Sequence, residues 1–181
     1  EISTRDWSSD VCSSDLASLE AAGRAQVPMT SGVLIGIGET ADERIAALIA
    51  LRDLHERHGH LQEVIVQNFC PKPGTKMSGA DEATETDFLR IVATARIVLP
   101  DEVSVQAPPN LNDERLVELI EAGIDDWGGI SPVTLDHVNP EAPWPEIERL
   151  EAICARAGLA LVERLTNYPR FIGMPESERR G

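Results

Sequence analysis

Residues Ser31 to Thr40, SGVLIGIGET, constrain the fold of this chain more than any other stretch. An apolar run with β-branched Val33, Ile35 and Ile37 ends in glycines and a carboxylate, and a helix start follows at once. That order reads as a buried parallel strand that delivers Glu39 to the carboxyl end of a sheet, where α/β proteins build their sites. Gly36 and Gly38 leave the backbone there open to a ligand. Glu39 itself supports two readings, a first-turn residue facing the helix dipole or a contact for a ligand hydroxyl or amine.

The rest of the chain repeats this unit. Residues 17–25 read as the tail of a helix ending near Gly23. Val33–Ile37 is the first strand, and Thr40 with Glu43 forms a capping box for the next helix, which stops at Gly59. Leu61–Phe69 is a second strand, followed by the rigid loop PKPGT. A helix is expected over Thr84–Leu99, and Val103–Ala107 is a short third strand. Asn112 caps a helix to Ala122, Ile124–Ile130 is a fourth strand, and residues 131–145 form a long proline-rich loop. A helix to Ala157, a weaker strand over Leu159–Leu165 and a polar, frayed tail from Thr166 complete the series. Loops after strands are rich in Gly, Pro, Asn and Gln, and those after helices are short, so the specialised loops share one face. The expected fold class is α/β, the second half of a (β/α) partial barrel, with too few strands to close eight. The edge left by a half-barrel predicts a sticky fragment.

Residues 1–16 stand apart. DWSSDVCSSDL, Asp6–Leu16, is similar to the translation of a sequencing adapter, and the segment reads as a non-native leader, with 17–172 as the barrel part and 173–181 as a polar tail. The formal charge is −15, of which the leader accounts for three negative charges, leaving −12. A surface that acidic argues against nucleic acid and favours a small-molecule substrate. No apolar run is long enough for a membrane span. Cys70 and Cys154 have no metal spacing, which points to the cytoplasm.

Several constellations carry more than one reading. Gly36-x-Gly38-x-x-Ala41 fits a dinucleotide fingerprint, but the acidic residue at the required distance, Asp53, falls inside a helix. The alternative is glycines that allow close helix–strand packing. His55, His58 and His60 suggest either a metal cluster without its remaining ligands or a solvated helix end. Trp127 and Trp144 could stack on an aromatic substrate or fill the core. Gln67, Asn68, Asn110 and Ser131 fall at strand ends, where uncharged donor–acceptors suit an amide- or hydroxyl-rich ligand. No hydrolytic series or Walker loop is present.

Together TSGVLIGIGETADER, LHERHGHLQEVIVQNFCPKPGT, QAPPNL, AGIDDWGGISPVT and VNPEAPWP closely resemble the 7,8-didemethyl-8-hydroxy-5-deazariboflavin synthase family of radical S-adenosylmethionine enzymes, over roughly residues 17–172. The likeness is to the carboxyl half of that family's barrel. Gly32-x-Leu34-x-Gly36-x-x-Glu39 is similar to the superfamily's GxIxGxxE strand. The resemblance therefore implies that Gly32, Leu34, Gly36 and Glu39 bind S-adenosylmethionine, with Leu34 against the adenine. The family's CxxxCxxC loop for a 4Fe-4S cluster is absent, and Cys70 stands where relatives carry a basic residue. The implied chemistry is a radical closure of the deazaflavin ring of coenzyme F420 from a hydroxybenzyl–ribitylaminouracil adduct, with loss of ammonia. A companion radical subunit or domain would make that tyrosine-derived adduct. Placement makes Gln67, Asn68, Asn110, Trp127, Gly128, Gly129 and Ser131 the candidate substrate contacts. The chain alone is expected to be inactive for want of cluster ligands. Two rivals stand beside this reading: a related radical enzyme of biotin, thiamine or menaquinone synthesis, and a non-enzymatic ligand-binding half-barrel.

Overall fold

The computed structural model describes residues 15–131 and 133–172. Most of the leader, the tail at 173–181 and Pro132 therefore lie outside the described residues. Three parallel strands form one sheet in the order β1 (Met29–Ile35), β2 (Leu61–Asn68), β3 (Ser104–Gln106). Helix α1 (15–24) precedes β1. Helix α2 (Ala41–His58) joins β1 to β2, and α3 (Glu85–Val98) joins β2 to β3. After β3 come a 3₁₀ turn (Asn110–Arg115), α4 (Leu116–Ala122) and α5 (Ile147–Arg156). The α/β alternation and the common strand direction match the sequence reading, so the strand carboxyl ends lie along one edge.

Local signals explain the helices. Thr40 and Glu43 form the reciprocal capping box, Thr84 caps α3 through the Asp87 N–H, and α2 ends at a left-handed Gly59. Two faces of the sheet follow from the register, because side chains alternate along each strand. Val33, Ile35, Val64, Val66 and Val105 face the helices and join Leu48, Leu51, Phe88, Ile91 and Val92 in the core. The opposite face pairs Thr30 with Glu63, Gly32 with Ile65 and Leu34 with Gln67, then Glu63 with Ser104 and Ile65 with Gln106. It is largely polar, unlike the two apolar faces of an ordinary covered parallel strand.

The carboxyl segment covers the amino-terminal half of that polar face. Arg164 donates from Nε to Asp126 Oδ2 at 2.5 Å and from Nη2 to Glu63 Oε2 at 2.6 Å. Its guanidinium also sits 4.3 Å from the Tyr168 ring centroid. Tyr168 donates its hydroxyl to Asp126 and to Glu63, and Thr30 donates to Glu63. Gln62 donates to the Thr166 carbonyl and accepts from the Tyr168 N–H. Burial first, and then the bond to Asp126, push the Tyr168 phenol upward and keep it protonated.

Several expectations need correction. The fourth strand shrinks to one parallel bridge, Gln106 with Asp126. The Asp125 carboxylate takes the Val105 N–H at 2.8 Å, and Asp126 turns its own carboxylate to the Gly128 N–H, so the aspartates displace the ladder. Residues 159–165 form no strand; Leu159, Val162 and Leu165 are exposed and Arg164 is drawn to the carboxylates. The tail is not frayed through Ile172, since Thr166, Tyr168 and Arg170 all bond to the start of β2. Asn112 does not cap α4; its amide bonds Asn68 and the Pro108 carbonyl instead. The helix end expected near Gly23 does hold, since α1 stops one residue later, and a Cβ at Gly23 would meet the His58 ring at 2.6 Å. β1 ends at Ile35, leaving Ile37 exposed in the turn.

Candidate functional site

The network of Arg164 and Tyr168 closes one end of the polar face and leaves the strand carboxyl ends as its accessible part. At that end β1 turns through Gly36 and Gly38, both at φ of about +101°, a conformation that L side chains rarely adopt. Glu39 holds the turn. Its carboxylate accepts the Gly36 and Ile37 N–H groups, each at 2.7 Å, and the Arg44 Nε at 2.7 Å. Burial pushes the Glu39 carboxyl upward, but the bonds from backbone and Arg44 outweigh it, and the net shift is downward. Glu39 is thus a charged brace for the turn. Next to it Leu34 is 40% exposed and level with Gln67.

The second tip is tied to the first and third. The Phe69 N–H donates to the Ile35 carbonyl at 2.8 Å. Asn112 donates to Asn68 Oδ1 at 3.1 Å and so links the exits of β2 and β3. Cys70 lies beside Asn68, and burial first, then Glu82, push its thiol upward. At the third tip Gln106 is buried, and its Oε1 finds no donor. Gly128 makes this possible: at φ +75°, a Cβ there would stand 1.8 Å from Gln106 Nε2. Gly129 has open space beside it.

The structure therefore brings Leu34, Gly36, Glu39, Gln67, Asn68 and Gly128 to one edge, while Gly32 lies mid-strand, packed against the Ile65 carbonyl. Ser131 lies in the following loop, accepting from the Thr134 N–H and hydroxyl. Trp127 is buried in the core, its indole N–H donating to Cys154 Sγ at 3.4 Å. Asn110 leaves the edge and lines a separate cleft with Trp144. Sequence reasoning missed Gln106 and Asn112. Gln106 had a visible signal, an amide at the end of a short apolar strand like Gln67. Asn112 had none, because its partner lies 44 positions away.

Residues at the edge fit an apolar, flat group. Leu34 is exposed beside a glycine turn, and a Cβ at Gly38 would meet nothing within 4 Å. A 4Fe-4S cluster does not fit the described residues. Among them no group of three His, Cys, Asp or Glu is placed to hold a metal. Cys154 is buried against Trp127. The histidines are not a solvated end either: His55 bonds Glu102, His58 bonds Glu20 and His60 is buried with both ring nitrogens unpartnered. Among the described residues no helix is long and apolar enough to cross a membrane.

No family model matches the chain. Among curated proteins it is 56% identical over 154 residues to a 7,8-didemethyl-8-hydroxy-5-deazariboflavin synthase of Methanopyrus kandleri, covering 85% of this chain and 46% of that protein. It is 52% identical to the synthase of the same name from Methanothermobacter thermautotrophicus, covering 85% and 47%. It is also 52% identical to an FO synthase of Streptomyces avermitilis, covering 85% of this chain and 18% of that protein. The chain thus spans about half the length of the archaeal relatives and a smaller part of the Streptomyces one.

Proposed function

From a kinship with the 7,8-didemethyl-8-hydroxy-5-deazariboflavin synthases that runs along 85% of its own length, we propose that this chain is one half of a radical S-adenosylmethionine barrel. The whole protein would close the deazaflavin ring of coenzyme F420 from a hydroxybenzyl–ribitylaminouracil adduct and release ammonia. The observation that carries this reading is the convergence of the GxLxGxxE turn and the ends of β2 and β3 on one edge of a parallel sheet.

Each residue has a physical task in this account. Leu34 offers the adenine an apolar wall, and Gly38, with open space beside it, lets the nucleoside approach the backbone, while the missing Cβ of Gly32 makes room for the Ile65 carbonyl and that of Gly36 for the Ala83 N–H. Glu39 acts on the turn, fixing the Gly36 and Ile37 peptides. Gln67, Gly128, Gly129 and Ser131 face the substrate's ribityl and pyrimidine groups as uncharged donors and acceptors, and Asn68, on the Ile35 side of the sheet, ties the exit of β2 to Asn112. Trp127 supports Gly128 from the core. S-adenosylmethionine with its reducing cluster supplies hydrogen abstraction from the substrate; the cluster would be held by cysteines other than Cys70 and Cys154. The sheet supplies position and excludes water. A companion domain or subunit that makes the adduct fits the relatives' lengths. The same 154-residue match is 46% of the archaeal protein and 18% of the Streptomyces one, which is therefore roughly two and a half times as long.

The test uses the complete gene product, reconstituted anaerobically with iron and sulfide and given the adduct, reductant and S-adenosylmethionine. A fluorescent deazaflavin of the expected mass supports the reading. Cleavage of S-adenosylmethionine with a different product, or none, overturns it. The 181-residue chain alone is expected to yield no product.

A further inference from the structure

The polar face of the sheet has three rows, set by the strand register. Thr30, Glu63 and Ser104 form the first, under Arg164 and Tyr168. Leu34 and Gln67 form the last, at the strand mouths. The middle row is Gly32, Ile65 and Gln106, so Gln106 supplies its polar side chain. The two carboxylates nearest, Glu63 and Asp126, are both taken by Arg164, which leaves this part of the face neutral.

The two ends of the Gln106 amide differ. Oε1 is covered and meets no donor, so an incoming ligand does not reach it. Nε2 has no partner among the described residues either, but it is not covered. Gly128 lies alongside it, where a Cβ would stand 1.8 Å away and push the donor aside. Gln67 is half-buried on the same face, and its amide also forms no hydrogen bond among the described residues. Gln106 is level with Ile65, two residues before Gln67, so the two amides sit on adjacent strands with their Cβ atoms roughly 8 Å apart. Side chains of that length and spacing converge on one flat group lying over the half-buried Ile65. That group must be neutral, and it must show Gln106 an acceptor, because only the donor end of that amide is open.

We propose that Gln106, with Gln67, reads the imide edge of a pyrimidinedione ring. Gln106 Nε2 donates to one ring carbonyl. Gln67 accepts from the imide N–H and donates to the second carbonyl. An adenine edge fits less well, since its amino group would need the covered Oε1. The inference rests on the synthase reading for the larger molecule that carries the ring, and it assigns Gln106 a substrate contact within it.

The test uses the complete gene product, reconstituted as above, and equilibrium dialysis of two probes. One is 6-ribitylaminouracil, the heterocyclic part of the adduct. The other is its 2,4-dimethoxypyrimidine counterpart, which keeps the ring and the ribityl chain but has no imide. The imide probe is expected to bind about tenfold tighter. Gln106→Met, close in volume but without the donor, should weaken the imide probe about tenfold and leave the dimethoxy probe within twofold. Gln106→Glu, which keeps the shape but offers oxygens to a carbonyl, should weaken it further. Thermal unfolding by circular dichroism checks that both variants fold, and the comparison of probes on the unaltered protein stands without them. No binding of the imide probe, or a dimethoxy probe or adenosine that matches it, would overturn the proposal. So would unchanged affinity in Gln106→Met, or an equal loss for both probes, which marks a packing role alone. Failure of the synthase reading looks different: the imide probe binds with its dependence on Gln106, yet the adduct gives no deazaflavin. Deazaflavin formed by Gln106→Met with an unchanged KM for the adduct would overturn the present inference and leave the synthase reading standing.

Discussion

Replacing Arg164 by Met should destabilise this chain by about 3–5 kcal/mol, the usual cost of stranding buried charge. The size follows from what the guanidinium touches. The Glu63 and Asp126 side chains are 9% and 11% exposed, and each receives a short charge-assisted bond from Arg164. Met keeps much of the stem's volume but leaves two carboxylates on one sheet face with no cationic partner, only the Tyr168 and Thr30 hydroxyls and the Gly128 N–H. Urea unfolding followed by far-UV circular dichroism at neutral pH reads the loss. Adding Glu63→Gln to Arg164→Met should restore a large part of it, because one stranded charge is gone. A loss below about 1 kcal/mol, the value of an exposed ion pair, would refute the idea that the 159–172 segment is a structural closure of the sheet. An unchanged loss in the double variant would refute the stranded-charge mechanism.

Other outcomes follow from the same geometry. Gly128→Ala should cost about 2–4 kcal/mol, since φ is +75° and the new Cβ would displace the Gln106 amide, whereas Gly129→Ala should be nearly neutral. Denaturation midpoints of the two variants check this. Glu39 has a lowered carboxyl pKa, so its contribution is present above the ordinary value of 4.5 and is lost as pH falls through the lower folded value. Glu39→Gln should flatten the stability–pH curve in that acidic window. His60 is buried without a partner of hydrogen-bonding geometry. Burial pushes it below 6.5, with the Leu19 carbonyl opposing. Stability should therefore be full above 6.5 and fall as pH drops from there toward the folded value, and His60→Phe should remove that slope.

The parts of the fold legible in the sequence were those set by neighbours in the chain. The Thr40–Glu43 box, the Gly59 stop and the apolar centre of β2 rest on residues a few positions apart, and each is where the sequence put it. The fourth strand was misread because Ile124–Ile130 has strand composition, yet Asp125 and Asp126 spend their carboxylates on backbone N–H groups. The carboxyl segment was misread because Arg164 is recruited by Glu63, 101 positions away. At the candidate site, the glycine turn and its carboxylate were visible in SGVLIGIGET. The brace formed by Glu39 on Gly36 and Ile37 was not, since spacing alone does not say where a carboxylate turns. Trp127 looked like a stacking surface because it precedes two glycines; the Cys154 thiol that takes its indole N–H lies 27 positions on.

The central claim is that the carboxyl ends of β1, β2 and β3 hold the nucleoside-bearing cofactor. Amide hydrogen exchange on the complete gene product, with and without S-adenosylmethionine, tests it most directly. Added protection confined to the Gly36–Glu39 turn and the Gln67–Phe69 strand end is the predicted result. Protection elsewhere with those segments unchanged, or no protection at saturating S-adenosylmethionine, would contradict it.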